Sequence, residues 1–157
     1  MDWQGKMGEA LTLTVQIIMM ILRGYLVVLS TYHVISGGIS YLAPARAMAF
    51  YKSMYAVDPI ERRHLFIILR PWGALSITVG MVGWFAAVDP IRYWGVVLAI
   101  LVLLILRVIY RIGLRNELAQ ISQIPQHRNR LSIAIILVGV FILSIGLWAI
   151  MFLPMGE

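Results

Sequence analysis

Four long apolar runs, at about residues 10–42, 62–88, 90–112 and 130–153, leave this chain few ways to fold. Backbone N–H and C=O groups inside a bilayer have no water to bond, so each run must satisfy them internally as a helix. A spanning helix needs about 20 apolar residues at ~1.5 Å rise each. The last three runs fit with modest extensions, and the first is longer. The expected fold is all-α: a polytopic membrane protein, a four-transmembrane-helix bundle in a single domain over residues 1–157. Composition agrees, with 61% hydrophobic and 13% charged residues, where a soluble domain carries roughly 25% charged.

The tetrapeptide VDPI occurs at residues 57–60 and again at 88–91, a spacing of 31 residues. Asp is a strong helix N-cap, and Pro is favoured at the first helical position, where no N–H is needed. Asp58-Pro59 and Asp89-Pro90 are therefore expected to start spans two and three, with Glu61 at capping-box distance from Asp58. One crossing plus a short headgroup segment accounts for the spacing, so the pair reads as helix punctuation and not as a repeat. Between spans one and two, PARAMAFYKSMYA predicts a short interfacial helix at about residues 44–55, mostly apolar with Arg46, Lys52 and Ser53 on its polar side. After span three, Leu114, Leu118, Ile121 and Ile124 recur at helical spacing. The helix is expected to run on and stop before Pro125, with QHRNR leading into span four.

Lys and Arg in short loops set membrane orientation. The loop after span one carries Arg46, Lys52, Arg62 and Arg63, and the segment after span three carries Arg111, Arg115, Arg128 and Arg130. The opposite side holds only Lys6 and Arg92. Eight against two places loops 43–61 and 113–129 in the cytoplasm and both termini outside, with a bacterial inner membrane as the expected home. The net charge of +6 reads as orientation and attraction to anionic lipid headgroups, not as nucleic-acid binding. The N-terminal MDWQGKMGEA lacks the pattern of a cleaved signal peptide, so the first helix is expected to be retained.

Span one carries a polar seam. Glu9, Gln16, Arg23, Ser30 and Gly37 fall at intervals of seven, with Thr12 and His33 on nearly the same face. Its length exceeds one crossing, which leaves residues 10–22 to span, protrude or lie in the interface, and Gly37-Gly38 is an expected break at the inner end. Arg23, Ser30 and His33 are the candidate partner-contact residues. Arg23, Arg70 and Arg107 all lie within apolar runs, where a charge facing lipid costs about 2.5–3.5 kcal/mol or more at the bilayer centre. All seven acids sit near helix ends, in loops or at a terminus. Arg70, Arg107 and Arg111 are therefore the candidate anion or lipid site, since guanidinium grips phosphate or carboxylate bidentately. The alternative is that they snorkel to the headgroups.

Small residues mark packing faces. Span two has Gly73, Ser76, Gly80, Gly83 and Ala87 at spacings of 3, 4, 3 and 4, and span four has Ser132, Gly139 and Gly146 at intervals of seven. Such faces let membrane helices approach closely. Gly73, Gly80, Gly83, Gly139 and Gly146 read as helix-packing positions, with a binding crevice as the alternative.

Catalytic signatures are not visible. There are no cysteines, and His33, His64 and His127 stand far apart without an HxxH or HExxH spacing, so no metal site is expected. No cofactor-binding loop and no nucleophile–base spacing stands out. With the spans placed, the layout resembles the DoxX-like group of small four-helix membrane proteins over residues 20–153. The carrying stretches are LRGYLVVLSTYHVISGG, LAPARAMAFY, LRPWGALSITVGMVGWFAAVDP and LRVIYRIG. Some members of that group are linked to quinone-dependent oxidoreductase complexes as membrane subunits. The long polar-striped first helix, the small-residue faces and the arginines that no acid in the spans can neutralise point to a non-catalytic membrane subunit or scaffold that assembles with itself or with a larger complex. A small transporter, or a lipid- or quinone-binding protein using the arginine cluster, is the alternative.

Overall fold

A computed structural model describes residues 3–55, 65–120 and 125–153. These residues form helices and no strand, in the order α1 (Trp3–Leu42), α2 (Pro44–Tyr55), α3 (Leu65–Val88), α4 (Trp94–Gly113), α5 (Arg115–Gln120) and α6 (Gln126–Phe152). Among the described residues four helices, α1, α3, α4 and α6, are long and apolar enough to cross a membrane. α2 occupies the residues at which the sequence predicts an interfacial helix.

Two antiparallel pairs make the bundle. α1 packs most extensively along α3, α4 packs along α6, and α1 also meets α6. In the first pair small residues set the distance. A Cβ added to Gly73 would come within 2.7 Å of the Gly37 oxygen and the Tyr41 nitrogen, and one on Gly37 within 2.8 Å of the Ile77 nitrogen. At Gly80 the neighbours are the Ser30 oxygen at 2.6 Å and Val34. Backbone lies on backbone, which only glycine permits here. The facing pairs Tyr41–Gly73, Gly37–Ile77 and Val34–Gly80 define one antiparallel register. Extended upward, that register sets Val88, the last residue of α3, level with Leu26.

The second pair uses larger knobs. α4 buries Val97, Ile100, Leu104, Val108 and Arg111, and α6 buries Asn129, Ile136, Gly139, Leu143, Gly146, Leu147 and Ala149. Spacings of three and four recur on both, the pattern of interlocking antiparallel helices. Leu22 and Leu26 of α1 join Leu143 at zero exposure in the shared core. Lipid is as apolar as leucine, so these contacts stabilise through close packing and not through removal from water.

Several boundaries differ from the expectation. α1 runs unbroken through Gly37-Gly38 to Leu42, because Gly37 serves close approach to α3 and keeps helical backbone. Asp89-Pro90 does not open α4. The Asp89 carboxylate accepts from the Arg92 N–H at 3.1 Å, as an N-cap should, but the capped residues form a separate turn. α4 starts after it, at Trp94, with Tyr93 in the cap position. α4 does not continue unbroken either: it ends at Gly113, and α5 restarts after Leu114. QHRNR is the first turn of α6 itself. The expected start at Asp58-Pro59 lies outside the described residues, as does His64.

Candidate functional site

The polar seam of α1 divides into two environments. Ser30 and Gly37 are buried against α3, while Glu9, Gln16 and Arg23 are exposed. In the packed half, the Ser76 hydroxyl donates to the His33 carbonyl at 3.0 Å, and the Trp84 indole N–H donates to the Thr31 hydroxyl at 3.3 Å. Gly83 lies against the Ser30 hydroxyl. In the other half, every side chain from Glu9 to Thr14 is exposed, and burial begins with Val15 and Met19 at the edge of the shared core. Gly139 and Gly146 of α6 receive Tyr25 and Leu22 of α1 respectively.

His33 sits half-buried with Nδ1 2.8 Å from the Leu29 carbonyl. A carbonyl only accepts, so Nδ1 carries a hydrogen and donates it. The Tyr32 ring meets the imidazole edge-on at 5.4 Å between centroids. Arg107 is half-buried on α4.

The three arginines singled out in the sequence stand in three settings. Arg70 is exposed on α3, Arg107 is half-buried on α4, and Arg111 is 7% exposed inside the α4–α6 seam. Arg111 is clamped there. Its Nη1 donates to Asn129 Oδ1 at 3.0 Å, and Asn129 Nδ2 donates back to the Arg111 carbonyl at 3.3 Å. That carbonyl belongs to the last turn of α4, where helix geometry supplies no donor. Asn129 therefore caps α4 from the side and holds the guanidinium at once. Sequence reasoning gave Arg111 to an anion or lipid site, or to the headgroups, and missed Asn129. The signal was present: Asn129, Ile136 and Leu143 form one series of seven, as do Val97, Leu104 and Arg111 on the other helix, so each helix has its polar member at the same end of the seam. Among the described residues no three His, Asp or Glu side chains come together to hold a metal.

These features define an integral membrane protein: an all-α, four-helix bundle with a glycine-seated helix pair and an arginine–asparagine clamp. No family model, curated protein or solved structure matches the chain.

Proposed function

We propose that this protein is a non-catalytic membrane subunit or scaffold, assembling with itself or with a larger membrane complex, as a DoxX-like identity would imply. The observation that carries the reading is α1. Its apolar run from Glu9 to Leu42 is 34 residues, about 51 Å of helix where roughly 30 Å crosses the hydrocarbon. The excess carries exposed Leu11, Leu13 and Ile17 beside exposed Glu9, Gln16 and Arg23. Such a surface is built for a protein contact. In this reading both termini face outward and the loops after α1 and α4 face the cytoplasm, where their basic residues meet anionic headgroups. Native mass spectrometry of the particle extracted gently from its own membrane tests it. Several polypeptides in one particle are expected, and a lone 17.7 kDa chain would overturn the reading.

A second reading, an anionic lipid or quinone held near Arg107, draws on the half-buried placement of that arginine on a membrane-spanning helix. Arg70→Gln with Arg107→Gln should then abolish retention of the bound molecule in the purified particle while assembly survives. Retention at the parental level would remove this alternative.

A further inference from the structure

The seam of α1 is one continuous surface of which α3 fills only half. In the register of the pair, α3 ends at Val88, level with Leu26, and the chain then turns aside at Asp89-Pro90 into α4. Above that level the same seam continues through Arg23, Gln16 and Glu9. All three are exposed, and none makes a hydrogen bond or ion pair with another described residue. We propose that a helix from a different membrane subunit continues the line of α3 along this upper seam, presenting a carboxylate to Arg23 and a cation to Glu9.

Charge selects the occupant. Arg23 and Glu9 are 14 residues apart, about 21 Å or four turns along one face. A second copy lying parallel on the same seam would set Arg23 against Arg23 and Glu9 against Glu9, and like charges at an interface are strongly disfavoured. A second copy lying antiparallel would pair them well, but it would need the opposite insertion, against the eight-to-two distribution of basic residues. A foreign helix with an acid and a base four turns apart satisfies both ends. Gln16, midway between them, both donates and accepts, so a polar residue two turns from each partner charge completes the match. The lower seam shows the geometry the partner would adopt, with small residues facing α1.

This inference rests on the subunit reading and names the surface and the partner chemistry. The absence of cysteine from the chain makes it testable. Single Gln16→Cys and Val28→Cys variants carry a photoactivatable maleimide and are illuminated in native membranes. Gln16 lies on the seam, and Val28 is exposed at 69% on another face of α1. Neither residue is packed, so both variants should retain the fold, and circular dichroism of the purified chain checks this. The expected result is one discrete protein adduct at Gln16→Cys only, with a mass that is not twice that of the chain. Adding Arg23→Glu should lower its yield about tenfold or more, and adding Arg23→Lys should leave most of it. A homodimeric adduct at Gln16→Cys would overturn the foreign-helix proposal while leaving self-assembly standing. Lipid adducts alone, or an adduct indifferent to Arg23→Glu, would also overturn it. Native mass then separates the two failures: a multi-chain particle keeps the subunit reading, and a single chain ends both.

Discussion

In α1 the series Glu9, Gln16, Arg23, Ser30 and Gly37 repeats every seven residues, yet its members meet different surroundings. Ser30 and Gly37 lie buried against α3, and the three above them are exposed. Residue size explains the lower half. Gly37 and Gly73 remove the side chains that would hold two helices apart, so backbones touch and local hydroxyls bond across the contact. Residue charge explains the upper half, because nothing in α3 reaches high enough to meet it. The same periodicity therefore builds an internal joint at one end and leaves an open face at the other.

The sharpest way to break this comparison is to add volume to each half. Gly80→Leu must push Ser30 and Val34 backbone aside, and it should destabilise the bundle by about 3 kcal/mol or more. Gly24 has no atom within 4 Å of its would-be Cβ, so Gly24→Leu should leave stability unchanged or slightly raised. Thermal unfolding of both variants in one detergent makes the test. Equal losses would mean that the two halves are packed alike.

The second pair of helices offers a smaller effect. Asn129→Leu removes the acceptor for a buried guanidinium and the donor for the Arg111 carbonyl, at a cost of about 1–3 kcal/mol. Substituting Arg111→Met together with Asn129→Leu should recover part of that loss, since replacing both members of the clamp by apolar groups avoids a buried guanidinium that has lost its Asn129 acceptor. No recovery would show that the loss comes from the Arg111 carbonyl, which the double variant still leaves without the Asn129 donor, and not from the guanidinium.

Ser76→Ala removes one hydroxyl bond to the His33 carbonyl and should cost about 0.6 kcal/mol, the usual size of such a bond between membrane helices. Gln16→Leu, on the open face, should shift stability of the isolated bundle by less than about 0.5 kcal/mol. The four expectations form a descending series from the glycine joint to the exposed seam. A large effect at Gln16 would place unseen contacts on the upper half.

The helices were legible in the sequence because spanning length and apolarity leave little freedom. The short helix α2 was legible for the same reason, since Pro44 marks its start and its apolar and polar residues separate by face. Local capping was less so. Asp89 caps as its chemistry dictates, but nothing in VDPI says whether the capped turn joins the next helix, which depends on how sharply α3 must hand over to α4. Gly37-Gly38 carries the composition of a break, and only the opposing Gly73 reveals it as a joint. Asn129 illustrates the wider limit. Spacing shows which residues share a face, but which face meets which is decided by packing between helices. The partner of Arg111 came from the facing helix, in a polar segment that reads as a loop.

The most direct test of the account is a cysteine scan of α1 from Glu9 to Leu42, labelled with a small maleimide in native membranes and again after purification to the single chain. Positions 30 and 40, both buried serines, should resist labelling in both states, and position 16 should be protected in the membrane and become reactive on purification. Equal labelling of the upper seam in both states would contradict the claim that α1 reaches past its own bundle to hold a partner.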